Sequence, residues 1–287
     1  MTRQADQQQL RMRDGVMLHA RRWQADSAAS VRGTVLLVHG LGEHAGRYAH
    51  VAGLLNDWGF QVVGYDHYGH GASPGKRGTL SSPTRLQDDL ADMVDGVRAS
   101  MPEGHPLILL GHSMGGVVAA DFVAGAVRPL AGLVLSSPAL DAGINAAQRG
   151  LATLLARLAP GFVIGNGLPA DRISHDPVEV AAYRSDPLVH DRISGRLAQY
   201  IANAGPRVLG HASAWQVPTL LLYAGADRLV KPEGSRRFAD AAPSGVVTAR
   251  AFPAHYHELF NEVERAPVFE ALRQWLEARF PGADALA

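Results

Sequence analysis

The stretch from Leu107 to Ala120, LILLGHSMGGVVAA, constrains the fold of this chain more than any other. A continuous apolar run of strand length stops at Gly111. Ser113 follows, then Gly115 and Gly116, then small apolar residues at helical density. The pattern predicts a strand, a very tight turn and a helix, with Gly111, Ser113 and Gly115 forming a G-x-S-x-G elbow. So sharp a turn strains the serine backbone and brings strand and helix close together, which leaves no room for a Cβ at the flanking positions. Ser113 Oγ is then expected at the top of a sheet. The Met114 N–H lies beside it at a helix N-terminus.

Composition narrows the setting of that elbow. A chain of 287 residues can bury about three quarters of its unfolded surface in one large domain, with or without an insertion. Its 27 basic and 27 acidic residues balance, so nothing favours nucleic acid or an acidic partner. With no cysteine, disulfides, thiolate zinc sites and cysteine nucleophiles are excluded. The opening residues are polar and resemble no secretory leader, and no apolar run reaches membrane-spanning length. The expectation is a cytoplasmic globular protein.

Residues 1–9 read as a polar tail. Leu10–Arg13 and Val16–Trp23 flank Asp14–Gly15, a hairpin signal. After a loop at Gln24–Arg32, strands are expected at Thr34–Val38, Phe60–Tyr65, Leu107–Leu110, Leu133–Ser136, Val217–Tyr223 and Val246–Phe252. Helices are expected at Tyr48–Trp58, Leu86–Met101, after Ser113, at Pro232–Ala241 and at Glu262–Phe280. With the hairpin this makes an eight-stranded, mostly parallel, doubly wound α/β sheet covered on both faces. The alternation stops between 139 and 213, where no strand-like run occurs. Ile144–Leu158 is amphipathic there, with Ile144, Ala147, Leu151, Leu154, Leu155 and Leu158 on one face, and Gly161–Pro169 is a loop. This segment reads as a helical cap over the C-terminal edge of the sheet, where such folds bind ligands. The chain divides into core residues 1–138, cap 139–213 and core 214–287.

A serine hydroxyl becomes a nucleophile near neutral pH only beside a base, and the base needs a group to fix its tautomer. On this kind of sheet the order along the chain is serine, acid, histidine, each just past a strand. Asp227, after Leu220–Tyr223, is the expected acid, with Asp141 as rival. His255 and His257 both fall past Val246–Phe252. His257, directly before Glu258–Leu259–Phe260, is the expected base and His255 the alternative. A His-x-His pair also suits a metal, but no third ligand accompanies it, so no metal or cofactor is expected. The developing oxyanion needs two donors. The N–H groups of Met114 and Leu41 are expected to supply them, Gly40 and Gly42 letting the Leu41 backbone turn. His39 is read as a brace for that loop, His112 as a bystander, and His67 and His70 as hydrogen-bonded loop residues.

Six motifs together resemble the monoacylglycerol lipase and lysophospholipase branch of the α/β-hydrolases: HGLGEHAGRY from His39 to Tyr48, DHYGHGAS from Asp66 to Ser73 with Arg77–Gly78, GHSMGG from Gly111 to Gly116, SDPLV from Ser185 to Val189, GADR from Gly225 to Arg228, and YHELFNE from Tyr256 to Glu262. The likeness runs from about residue 10 to the end and is loose between 139 and 184. It implies an α/β-hydrolase fold and a triad of Ser113, Asp227 and His257. It also implies an oxyanion hole at Leu41 and Met114 and a cap that forms an acyl channel. Leu41 stands where a smaller residue is often found, which leaves the backbone donor intact. The expected reaction is hydrolysis of a small, lipid-like ester, such as a monoacylglycerol or lysolipid, through an acyl-enzyme. The alternatives are a short-chain carboxylesterase, a proline-releasing peptidase or an idle receptor. The peptidase's Gly-Gly-Pro-Gly loop is replaced by Gly40–Leu41–Gly42–Glu43. The Leu-rich face of the cap, with Arg149 and Arg157 beside it, is expected to pack on the core, with transient contact to a membrane surface as the other option.

Overall fold

A computed structural model describes residues 4–25 and 31–282. The elements, in chain order, are β1 (Asp6–Arg11), β2 (Met17–Trp23), β3 (Gly33–Val38), α1 (Ala49–Asp57), β4 (Phe60–Tyr65), α2 (Arg85–Ala99), β5 (Leu107–His112), α3 (Ser113–Ala124), β6 (Gly132–Ser136), α4 (Ala146–Leu158), β7 (Val163–Gly165), α5 (Pro177–Ser185), β8 (Arg192–Ser194), α6 (Gly195–His211), β9 (Thr219–Ala224), α7 (Pro232–Ala241), β10 (Val247–Phe252) and α8 (Ala266–Arg279). Eight strands form one sheet in the order β1-β2-β4-β3-β5-β6-β9-β10. Only the pairings of β2 with β1 and with β4 are antiparallel; the remainder run parallel.

Every residue of β3 and β5 is buried, because helices cover both faces. Successive side chains divide between them. Val35, Leu37, Ile108 and Leu110 join Val51 and Leu55 of α1 and Leu272 and Leu276 of α8. Leu36, Val38, Leu107 and Leu109 join Leu90 of α2, Val117 of α3, Leu197 and Val208 of α6 and Phe238 of α7. The strands are continuous apolar runs for this reason.

The structure corrects the sequence reading at four places. The polar tail is shorter than expected: Asp6–Gln9 pair with His19–Arg22 as the edge strand. Their glutamines point no apolar face inward, so the pairing rests on backbone bonds that leave no pattern in the sequence. Met1–Arg3 and residues 26–30 of the Gln24–Arg32 loop lie outside the described residues. The 139–213 segment contains strands after all, since Val163–Gly165 pairs antiparallel with Arg192–Ser194. Three-residue strands are too short to show a period.

The third correction concerns helix α4. Asn145 and Gln148 form a reciprocal capping box that starts α4 at Ala146. Ala152 is buried, and Arg149 donates to the Ala202 carbonyl of α6. The leucine face expected against the core points outward instead: Leu151 is 55 % exposed, Leu154 53 % and Leu158 76 %. Only Leu155 of that row turns in, against Gly195.

Fourth, α8 begins at Ala266 rather than Glu262. Leu259–Asn261 makes a separate 3₁₀ turn and Pro267 sets the first turn of the helix.

Helix α6, although inside the 139–213 segment, is built into the main core. Leu197, Ile201, Ala204 and Val208 are buried there. Tyr200 Oη donates to Asp121 of α3 at 3.0 Å, and Arg207 pairs with the same carboxylate at 2.6 Å. It serves as the crossover helix between β6 and β9. Among the described residues no helix is long and apolar enough to cross a membrane.

Candidate active site

Strand β5 delivers Ser113 to the C-terminal edge of the sheet. The serine adopts φ = 53°, a region that costs a residue with a Cβ about 1 kcal/mol or more. The glycines around it explain why the turn closes. A Cβ on Gly115 would collide with the Val38 carbonyl, and one on Gly111 would stand 2.5 Å from the Gly115 oxygen. Only hydrogen at these positions lets α3 lie this close to β3 and β5.

The loops after β9 and β10 meet opposite the elbow. His257 Nδ1 donates to Asp227 Oδ2 at 2.7 Å, which fixes the proton on Nδ1 and leaves the Nε2 lone pair open. Asp227 Oδ1 accepts from the Leu229 and Val230 amides at 2.8 and 3.0 Å. Both side chains are buried. Burial alone would raise the Asp227 carboxyl, but the charge and hydrogen bond of His257 and the two amides outweigh it and hold the group below the ordinary carboxylate range. Burial likewise opposes the imidazolium of His257. The Asp227 carboxylate, with Glu258 and Glu43 further off, reverses that and raises its pKa above the usual imidazole value.

Ser113, His257, Gly40 and Leu41 line one cavity with His112, Glu43 and Glu258, roofed by Leu168, Ala170, Ile173 and Tyr183. Its volume is about 30 Å³, room for one water molecule. Met114 follows Ser113 in the first turn of α3, where the backbone N–H has no acceptor within the helix. Of the sequence-predicted residues, Ser113, His257 and Leu41 share the cavity, Asp227 is joined to it through His257, and Met114 adjoins Ser113.

The rivals lie elsewhere. His255 Nε2 bonds to the Glu264 carbonyl at 2.9 Å, and Asp141 is engaged by Arg237 at 2.8 Å. His39 Nδ1 donates to the Gly40 carbonyl at 2.8 Å while its Nε2 accepts from the His67 amide at 3.0 Å, the bracing role expected of it. His67 Nε2 donates to the His39 carbonyl and His70 Nδ1 to that of Tyr68. His112 is closer to the chemistry than expected. Its ring lies 4.8 Å from that of His257, and its Nδ1 is 3.2 Å from Ser136 Oγ. Burial, with His257 beside it, lowers it to about 4 and keeps it neutral.

A charged cluster at the same cavity carried no role in the sequence reading. Arg47 Nη1 bonds to Glu43 at 2.7 Å and to Glu258 at 2.6 Å, and Nη2 adds a second bond to Glu258 at 2.7 Å. Burial would raise Glu258, yet the Arg47 guanidinium brings it down to about 2. A Glu–Arg pair four residues apart among glycines, just after a strand, was the available signal.

An open parallel sheet with a strained serine after β5 and a joined aspartate and histidine after its last two strands defines an α/β-hydrolase. The chain belongs to the serine aminopeptidase S33 family, which it matches over residues 29–264. It is 38 % identical over 248 residues to the monoacylglycerol lipase of Mycolicibacterium smegmatis, covering 85 % of this chain and 88 % of the relative. It is 32 % identical over 281 residues to the monoglyceride lipase of Rattus norvegicus, covering 95 % and 90 %. Among solved structures, the monoacylglycerol lipase of Paleococcus ferrophilus superposes with a TM-score of 0.81 at 36 % identity, over 91 % of this chain and 99 % of that one.

Proposed function

We propose that this protein hydrolyses monoacylglycerol-like or lysolipid esters through a serine triad and an acyl-enzyme. The observation that carries this reading is the 2.7 Å bond from His257 Nδ1 to Asp227, with His257 lining the cavity that also holds Ser113. His257 Nε2 takes the Ser113 proton as Oγ attacks the ester carbonyl. The Leu41 and Met114 N–H groups hold the oxyanion. His257 then gives its proton to the leaving alcohol and activates the water that releases the fatty acid, while Asp227 stabilises the imidazolium. The chain is a carboxylic ester hydrolase in this reading, and the names of its lipase relatives point to a lipid ester as the substrate class. It needs no metal or cofactor.

Residues 139–213 act as the cap, with the part before α6 covering the site. The outward leucines of α4, together with exposed Phe162 and Ile164, support transient contact with a lipid surface. A continuous apolar face beside Arg157 suits an interface where lipid esters reside. Action in the cytoplasm belongs to the same proposal and is checked by cell fractionation.

A hydrolysis panel on the wild type and Ser113→Ala tests the reading. It spans monoacylglycerols, lysophospholipids, p-nitrophenyl esters from acetate to palmitate, and proline amides. Ser113-dependent turnover peaking on medium or long acyl esters is the expected result. A peak on acetate would make the protein a short-chain esterase, and turnover of amides alone would make it a peptidase. No Ser113-dependent turnover would overturn the triad.

A further inference from the structure

The Glu43–Arg47–Glu258 cluster spans the two loops on which the proposed reaction depends. Glu43 lies in the loop after β3. Its Oε1 accepts from the Gly40 amide at 2.6 Å and from Tyr48 Oη at 2.7 Å. Gly40 directly precedes Leu41, so this carboxylate sets the peptide plane leading into the proposed oxyanion donor. A side chain at position 40 would press on it, because a Cβ there would stand 2.8 Å from Glu43 Oε1. Glu258 is next in sequence to His257, and its Oε2 also accepts from Asn261 Nδ2 at 2.7 Å. One guanidinium lies between the two carboxylates, and the Tyr183 ring of α5 covers it at 4.8 Å.

All three charged side chains are at most one-tenth exposed. A buried ion pair costs several kcal/mol per ion in lost hydration and is retained only where hydrogen bonds complete it. Here every carboxylate oxygen has a donor, yet two negative charges face one positive charge. The cluster keeps a net negative charge beside His112 and His257. A hydrophobic filling of the same volume would serve stability at least as well, so the cluster invites a functional reason.

We infer that Arg47 is a positioning residue. It ties the oxyanion loop, through Glu43, to the base loop, through Glu258, and so holds Leu41 and His257 in register across the ester. This inference rests on the hydrolase reading above. The bidentate fork matters because a lysine ammonium is a point charge that cannot hold both oxygens of Glu258 and reach Glu43 in one plane. The surplus carboxylate charge has a second effect, on the base. The charged and titratable groups around His257 are Asp227, Glu258, Glu43, Arg47, neutral His112 and the Tyr183 phenol, which burial keeps neutral. Removing the charge of Glu258 disfavours the imidazolium, so His257 stays neutral to a lower pH.

The test uses full-length wild type, Arg47→Lys and Glu258→Gln. It measures kcat and KM on p-nitrophenyl butyrate from pH 5 to 9, labelling by a fluorophosphonate probe, and Tm. Arg47→Lys is expected to lose kcat on the order of 10- to 100-fold, the cost of a misplacement of about 1 Å, with KM held within roughly threefold. Glu258→Gln is expected to move the acid limb of kcat/KM to lower pH. A folded Arg47→Lys with wild-type kcat, or a Glu258→Gln profile that superposes on the wild type, overturns the inference. Should Arg47→Lys not fold, the Glu258→Gln profile decides alone. A wild type that neither turns over nor takes the probe overturns the hydrolase reading itself, a result distinct from both.

Discussion

His44 Nε2 lies 2.8 Å from Asp186 Oδ2, and this bond ties the loop after β3 to the residue that ends α5. The imidazole is nearly buried and the carboxylate about a quarter exposed. His44 also accepts from the Gly46 amide through Nδ1, which assigns the proton to Nε2 and directs it at Asp186. The loop proposed to hold the oxyanion is thus fastened to the 139–213 segment as well. The Gly42 carbonyl strengthens the same seam by accepting from the His190 amide at 2.8 Å.

Asp186→Asn should weaken that seam. Burial raises the Asp186 carboxyl, but the bond from His44 and the Leu188 amide more than offset it and depress the pKa. A depressed carboxylate stabilises the fold above its unfolded pKa of about 3.9 and loses that contribution as pH falls through the folded value. The substitution should therefore lower Tm by about 2 °C at neutral pH, the equivalent of ~1 kcal/mol for a partly exposed charged bond. Its difference from the wild type should shrink below about pH 4. Calorimetry at the two pH values checks this.

His257→Ala should cut kcat by roughly four to six orders of magnitude, whereas His255→Ala should keep most of it. Because the His257 pKa is raised in the folded protein, the acid limb of the wild-type kcat/KM profile should have its midpoint above the ordinary value of about 6.5. Comparable losses from the two alanine variants would remove the basis for choosing His257.

Substitutions on the outward face of α4 test the proposed contact with a lipid surface separately from turnover of a soluble substrate. Leu151→Ser, Leu154→Ser and Leu158→Ser combined should reduce co-sedimentation with phosphatidylglycerol vesicles roughly tenfold or more, from the apolar area lost. Turnover of dissolved p-nitrophenyl butyrate should stay near wild type. Each change falls on an exposed position, so each should shift stability by no more than about 0.5 kcal/mol. Equal vesicle binding by the variant and the wild type would count against the membrane contact.

Acid should loosen the seam between the 139–213 segment and the sheet loops at another point. The His190 ring, just before β8, lies 4.7 Å from that of buried His70, and His190 Nε2 donates to the Gly69 carbonyl at 3.1 Å. Burial, then Arg77, lowers His190 to about 4, while Asp191 and Arg192 act on it with opposite signs. Burial also holds His70 well below its ordinary value. The folded state then binds fewer protons than the unfolded one, so stability falls as pH drops from about 6.5 towards 4. His190→Gln keeps a donor for Gly69 and should flatten that slope in urea titrations between pH 7 and 4.5. An unchanged slope would assign the acid sensitivity to other groups.

What could be read from the sequence was what repeats or what chemistry compels. The central strands were legible because both faces are buried and apolar runs have no other reading. The elbow was legible because Gly111 and Gly115 leave no space for a side chain. Asp227 was expected from its place past β9, whereas His255 and His257 share the place past β10 and only the run His257–Glu258–Leu259–Phe260 favoured the second. The edge pairing of Asp6–Gln9 was not legible, because backbone bonds on an exposed edge select no residue type. The direction of the α4 leucines escaped for a different reason. Amphipathic spacing identifies an apolar face and is silent on whether protein or solvent meets it. The role of Arg47 was hidden because its two partners lie 4 and 211 residues away, and only the fold makes them neighbours.

The fastening of α6 to α3 through Tyr200, Arg207 and Asp121 sets a limit on how such a chain diversifies. The helix that closes the 139–213 segment is also the crossover that carries the chain into β9, so its replacement would threaten folding. The stretch from about 144 to 194 bears no such duty. A graft of that stretch from a relative, joined at Gly143–Ile144 and Ser194, exchanges the roof over Ser113 and leaves the sheet that presents it in place, with buried Ala139 and Leu140 kept. The crossover into β9 and the roof over Ser113 are thereby carried by separate lengths of one polypeptide, and a new roof must keep only the seam at Asp186 and His190 to sit on the old sheet.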